Sequence, residues 1–234
     1  MNFKPKTYEH IFFDLDRTLW HFDENSKKVL LDIFNDFELS KHIEFEDDFI
    51  QQYYIFNDLL WERYRENKIE KDELRKERFN LTLKHFNVVN SKLADEIGNY
   101  YVEHSPLQTI LLPYTVDVLT YLSSKYKLHI ITNGFEEVQH IKLKTCKIDH
   151  FFDQLIFSEK VGVKKPHPLI FKKALKNSGA TIKNSIMIGD DYYADIYGAQ
   201  RVQLDSIYFN FRQLDHNYPV DKEISCLSEL MKLL

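Results

Sequence analysis

The rhythm of the chain beyond Pro113 constrains its fold more than any other feature. Short apolar runs alternate there with segments of helical period: helix Thr115 to Ser124, strand Lys127 to Thr132, helix Phe135 to Thr145, and a strand near Gln154 to Phe157. Helix Pro168 to Asn177, strand Ser185 to Ile188, helix Tyr193 to Val202 and strand Ser206 to Phe209 continue the series. Runs such as IFF and IMI are short and fully apolar, which is how a strand buried on both faces reads. Regular βα alternation of this kind predicts a doubly wound, mainly parallel α/β sheet. One more strand comes first, at Tyr8 to Leu15, where IFF lies between His10 and Asp14.

After that first strand the period changes. Val29, Leu30, Ile33, Phe34 and Phe37 recur at helical spacing, as do Phe49, Tyr53, Phe56, Leu60 and Tyr64, then Leu74, Phe79, Leu83 and Phe86. Residues 23–105 are therefore expected to form four helices, inserted into a sheet-bearing core made of residues 1–22 and 106–234. Only six Gly and six Pro occur in 234 residues, as suits long helices with few loops.

Composition removes several classes of function. Hydrophobic residues at 44% and charged residues at 29% describe a globular chain with a sizeable core. With 31 Lys+Arg against 36 Asp+Glu, the net charge of −5 leaves no basic footprint for a nucleic acid polymer or an anionic membrane. No apolar run approaches the roughly 18 residues of a membrane span, and MNFKPKTYEH lacks the apolar stretch of a secretory signal. A cytoplasmic address is expected. Cys146 and Cys226 have no CxxC or histidine partner pattern and are expected to be buried thiols. The absence of GxGxxG and GxxxxGK[ST] loops argues against a dinucleotide oxidoreductase or a nucleoside triphosphate kinase.

In a parallel sheet, ligands bind beyond the carboxyl ends of the strands, so the residues that follow each strand are the candidates. Asp14 and Asp16 are two positions apart, a spacing that projects both carboxylates to one side of an extended chain. Crowding separates their proton affinities, so one can serve as an ionised nucleophile and the other as a general acid; a lone DxD is equally a turn with a helix cap. Gly189-Asp190-Asp191 follows the apolar run Ile186 to Ile188, with Asp195 beyond it. If the two strands are neighbours, Asp14 and Asp190 converge and offer the oxygen ligands that Mg²⁺ takes. The other reading is a capped helix, for which Asp191 is well placed. Thr132 ends its strand and Asn133-Gly134 opens a helix, so a hydroxyl and backbone N–H groups either face an anion such as phosphate or cap the helix. Lys165, biased to an extended conformation by Pro166, either covers that phosphate or is a solvated loop lysine like Lys164.

Taken in order, Asp14-x-Asp16-x-Thr18, Thr132, Lys165-Pro166 and Gly189-Asp190 with Asp195 resemble the four sequence motifs of the haloacid dehalogenase superfamily. The resemblance covers about residues 5–22 and 106–215, and implies a Rossmann-like core whose four-helix insertion is a cap. Carried over by position, it implies that Asp14 is the nucleophile that forms an aspartyl-phosphate, and that Asp16 protonates the leaving oxygen and then activates water. Thr132 and Asn133 would bind the phosphoryl group, and Lys165 would neutralise it and orient Asp14. Mg²⁺ would be held by Asp14, Asp190 and the backbone carbonyl of Asp16, with Asp195 in support.

An acid two positions after the nucleophile is needed for an alkoxide leaving group and not for a halide. Asp16 thus points to a phosphatase of small phosphomonoesters rather than to a haloacid dehalogenase. A sugar-phosphate mutase and a catalytically idle phosphate-binding regulator share the same motifs. The stretch DLDRTLW is similar to the nucleoside 5′-monophosphatase branch with four-helix caps. The chain departs from that branch at His21-Phe22, where an acidic residue often follows the Trp, and at Arg17, where many relatives have Gly. In the insertion, the aromatics Tyr53, Tyr54, Phe56, Trp61 and Tyr64 are expected to be mostly helix-packing core. The basic residues from Arg63 to Arg78, interleaved with acidic ones, are expected to form a solvated face. His129, His140, His150 and His167 show no metal-ligand spacing and receive no role.

Overall fold

The computed structural model describes residues 7–234; residues 1–6, at the start of the expected core range, lie outside the described residues. The chain divides into two compact units, one running to Phe22 and resuming at Thr109–Leu234, the other spanning Asp23–Gln108.

The first unit is built on six strands, β1 (His10–Phe13), β2 (Lys127–Thr132), β3 (Phe152–Phe157), β4 (Ser185–Gly189), β5 (Asp205–Phe209) and β6 (Glu223–Ile224). They pair in parallel in the order β3-β2-β1-β4-β5-β6. All four residues of β1 are buried, and alternate side chains serve opposite faces of the sheet. Ile11 and Phe13 pack with Leu119, Ile130 and Ile188, while Phe12 packs with Ile131, Phe171 and Met187 on the other side. Each such side chain contributes about 1.5–3 kcal/mol by leaving water, which is why so short a strand is fixed in register. Phe13 stands opposite Ile130 of β2 and Ile188 of β4. Strand order reverses between β1 and β4, and that crevice is where parallel sheets bind ligands.

β1 is shorter than the stretch Tyr8 to Leu15 suggested. After Phe13 the chain turns, and the Leu15 carbonyl accepts from the N–H groups of Leu19 and Trp20, both at 2.9 Å. Within this turn Arg17 has φ 62°, a left-handed conformation that glycine adopts most readily. β6 has two residues, too few to leave a readable period.

The second unit contains α1 (Phe22–Asp36, entered from the first unit), α2 (Glu46–Arg65), α3 (Lys71–His85) and α4 (Ser91–His104). Its core joins Val29, Leu30, Ile33, Phe49, Tyr53, Phe79, Leu83, Ile97 and Tyr101. Asn90 begins α4 by accepting the Leu93 N–H at 3.1 Å, a cap that satisfies one otherwise unpaired donor. Tyr53 and Tyr64 are buried, whereas Tyr54, Phe56 and Trp61 are half-buried. The run Arg63 to Arg78 is not solvated throughout. Arg78 lies one turn beyond Leu74 on the apolar stripe of α3; it is 6% exposed, with its guanidinium 4.6 Å from the Tyr101 ring.

The remaining helices belong to the first unit: α5 (Thr115–Ser123), α6 (Glu136–Thr145), α7 (Ser158–Val161), α8 (Pro168–Ser178), α9 (Gly198–Gln200) and α10 (Leu230–Leu233). The expected helix Tyr193 to Val202 is instead a π-helical segment, Tyr192–Tyr197, that runs into the short α9. Cys146 and Cys226 are half-buried rather than buried. Among the described residues, no helix is long and apolar enough to cross a membrane.

Candidate active site

Three strands deliver polar residues to one end of the sheet. Asp14 follows β1, Thr132 closes β2 and Asp190 follows β4. The backbone N–H of Asp14 donates to the Ile188 carbonyl at 2.9 Å, which fixes the Asp14 backbone against β4.

Lys165 reaches this point from the loop between α7 and α8. Its side chain is 2% exposed, so it is not a solvated loop lysine. Its ammonium donates to Asp14 Oδ1 at 2.5 Å, Asp195 Oδ1 at 2.6 Å and the Ile131 carbonyl at 2.8 Å, which uses all three of its protons. Asn133 holds the backbone behind it. The Asn133 Oδ1 accepts from Lys165 N at 2.8 Å, and its Nδ2 donates to the Lys165 carbonyl at 3.0 Å. The amide of Asn133 is therefore committed to Lys165.

Asp14, Asp190 and Asp195 form a cluster in which one carboxylate oxygen from each lies within 4.8 Å of the others. Thr18 braces Asp190 twice: its hydroxyl donates to Asp190 Oδ1 at 3.1 Å and accepts the Asp190 N–H at 3.1 Å. Asp191 caps the following turn, accepting the Ala194 N–H at 2.9 Å. Gly189 is needed for the close approach of Asp195, because a Cβ there would lie 2.2 Å from Asp195 Oδ2.

Burial raises the proton affinity of all three carboxyls. For Asp14 the Lys165 ammonium opposes that rise, and the charge of Asp16 adds to it. For Asp190, burial acts together with repulsion from Asp14, Asp195 and Asp191 and pushes the pKa well above the ordinary carboxylate range. Asp195 is also raised, chiefly by burial and against the pull of Lys165. Burial disfavours the Lys165 ammonium, but attraction to Asp14 and Asp195 outweighs it and keeps the group charged. Three crowded carboxyls thus face one cation. An all-oxygen set carrying excess negative charge fits a small, hard divalent ion such as Mg²⁺.

The Asp16 carboxylate stands apart from this cluster and has an ammonium of its own. Lys142 Nζ lies 2.5 Å from Asp16 Oδ1, and Gln139 Nε2 donates to Asp16 Oδ2 at 2.7 Å. The same Gln139 nitrogen reaches Thr132 Oγ1 at 2.8 Å, and the Gly134 N–H donates to that oxygen at 3.0 Å. With two donors on its oxygen, the Thr132 hydroxyl is left with its own proton to give. Two backbone N–H groups at this turn have partners within the protein. Gly134 turns its N–H onto Thr132, and the Glu136 N–H is taken by Glu159 Oε2 at 2.7 Å.

Gln139 and Lys142 escaped the sequence reading. Their signal is an inverted amphipathic pattern in α6: Gln139 and Lys142, three positions apart and on the side of Leu143, are 0% and 6% exposed, whereas Ile141 is 39% exposed.

The haloacid dehalogenase-like hydrolase family matches residues 8–203, and the chain belongs to that family. It is 32% identical over 231 residues to the pyrimidine 5′-nucleotidase YjjG of Escherichia coli, covering 97% of this chain and 98% of the relative. It is 28% identical over 213 residues to the pyrimidine 5′-nucleotidase PynA of Streptococcus pneumoniae, covering 90% of this chain and 87% of the relative. The magnesium-bound structure of the HAD-hydrolase YfnB from Bacillus subtilis superposes with a TM-score of 0.87 at 27% identity, covering 97% and 99% of the two chains. The family and the parallel α/β fold expected from the motifs are both borne out.

Proposed function

We propose that the protein is a Mg²⁺-dependent phosphatase of small phosphomonoesters, and that its substrates are nucleoside 5′-monophosphates, pyrimidine nucleotides first among them. The observation that carries this reading is the second carboxyl, Asp16, beside the nucleophile position and held by its own hydrogen bonds. A dehalogenase has no need of an acid there. The pyrimidine preference is supported by the names of two relatives that align over most of the chain.

In the proposed reaction an Asp14 oxygen attacks phosphorus as the ester P–O bond breaks, and the departing oxygen takes the proton of Asp16. Water then attacks phosphorus and gives its proton to Asp16. The aspartyl P–O bond breaks, releasing phosphate and restoring both carboxyls. Thr132 donates its free proton to a phosphoryl oxygen. Lys165 offsets the charge of the group and keeps Asp14 aimed at it, and Asn133 serves the phosphate seat by holding Lys165 in place. Asp14, Asp190 and the Asp16 backbone carbonyl would hold Mg²⁺, with Asp195 in support; when bound, the ion supplies positive charge beside the phosphoryl oxygens.

The test is phosphate release from UMP, CMP, purine nucleotides and sugar phosphates, with Mg²⁺ and with a chelator. Steady release with Mg²⁺ that stops on chelation, and is fastest with pyrimidine nucleotides, is the expected result. Isomerisation of a sugar phosphate without net phosphate release, halide release without Mg²⁺, or phosphate binding with no turnover would each overturn the reading.

A further inference from the structure

We infer that Lys142 and Gln139 are positioning residues that clamp Asp16 for both of its proton transfers, an inference that rests on the phosphatase reading. A carboxyl that gives a proton to an ester oxygen and later takes one from water has to stay in place while its reacting partner changes. An aspartate hinged on two side-chain torsions does not do so unaided.

In α6 the clamp has two arms, one on each oxygen: Lys142 on Oδ1 at 2.5 Å and Gln139 on Oδ2 at 2.7 Å. Holding both oxygens fixes the plane of the carboxylate as well as its direction. Each arm is itself anchored. Lys142 Nζ lies 4.0 Å from the centre of the Trp20 ring, which favours the charged ammonium there. Gln139 Nε2 also binds Thr132 Oγ1 at 2.8 Å, so one amide sets the spacing between the acid–base group and the hydroxyl that meets the phosphoryl group.

Two features show that the surroundings accommodate this arrangement at some cost. Among the described residues the buried Gln139 Oε1 finds no hydrogen-bond partner, an arrangement that folded proteins tolerate rarely and usually for a reason. A Cβ on residue 134 would lie 2.1 Å from Gln139 Nε2, so the amide reaches its place only because Gly134 has no side chain.

The test compares leaving groups. UMP needs a proton on its departing oxygen, whereas p-nitrophenyl phosphate releases a stable phenolate without one. In Lys142→Met, turnover of UMP should fall about 100-fold, the scale of a small misplacement of a reacting group. With p-nitrophenyl phosphate, the first burst of phenolate should stay near the wild-type rate. Its steady-state rate should still drop, because the aspartyl-phosphate waits for Asp16 to activate water. Lys142→Arg should recover part of the loss. Gln139→Leu should show the same split, and it carries the test if Lys142→Met does not fold. Equal losses in burst and steady state with both esters, or no loss in either variant, would overturn the clamp. A wild-type protein that releases phosphate from neither ester overturns the phosphatase reading itself.

Discussion

The ammonium of Lys165 stands 2.5 Å from a carboxylate oxygen of Asp14, although 151 positions separate the two residues in the chain. The contact is fixed from both sides. The Asp14 backbone is bonded to β4, and the Lys165 peptide is held at its N–H and its carbonyl by Asn133. One cation therefore serves Asp14 and Asp195, with Asp190 close by.

Lys165→Met leaves two buried carboxyls without their counter-charge, a change that typically costs roughly 3–5 kcal/mol. Thermal unfolding in Mg²⁺-free buffer should show a large fall in Tm, and phosphate release should be lost. A variant that melts like the wild type would show that the pair adds nothing to stability.

Asp14→Asn keeps the size of the side chain and removes the attacking oxygen anion. No phosphorylated protein should be trapped by acid quench after mixing with labelled substrate, and turnover should fall below detection. Near-parental activity would sink the nucleophile assignment.

Gly134→Ala places a methyl group where Gln139 Nε2 now lies, 2.1 Å from the ideal Cβ position. Overpacking of this kind costs about 1–3 kcal/mol, and the displaced amide would lose both Asp16 and Thr132. The expected outcome is a lower Tm together with a lower kcat, measured on the same preparation. An unchanged kcat would mean that the amide can move without consequence.

His129 and His10 form a buried pair, with His10 Nδ1 and His129 Nε2 3.0 Å apart. Burial, helped by the neighbouring His10, pushes the His129 pKa down from 6.5 to about 4. Between those values the unfolded chain takes up a proton that the folded chain refuses. The stability contributed by the neutral imidazole is complete above pH 6.5 and is lost as pH falls toward 4. Melting curves across that range should be less steep in pH for His129→Gln than for the wild type; identical slopes would contradict the assignment.

The sheet was legible because β1 and β4 are buried on both faces and carry the short apolar runs IFF and IMI. The polar residues that follow the strands stood out against that background, which is why Asp14, Thr132 and Asp190 could be picked without coordinates. Lys165 was ambiguous in sequence, since the following Pro166 is all that sets it apart locally from Lys164; its partners, the Asn133 amide and two distant carboxyls, settle its place. Gln139 and Lys142 were hidden for a different reason. Inside a helix a buried polar residue looks like a surface one until its neighbours are known, and the exposed Ile141 is the sole local hint. Arg78 was misread on the same grounds, as a member of a charged face when it lies under the Tyr101 ring.

The position of β1 has a consequence for biosynthesis. It is the earliest of the six strands to leave the ribosome, yet its two neighbours in the sheet, β2 and β4, begin only at Lys127 and Ser185. Contacts so distant in sequence form late. The nascent protein must carry the apolar segment Ile11 to Phe13 without its sheet partners until both β2 and β4 have been synthesised.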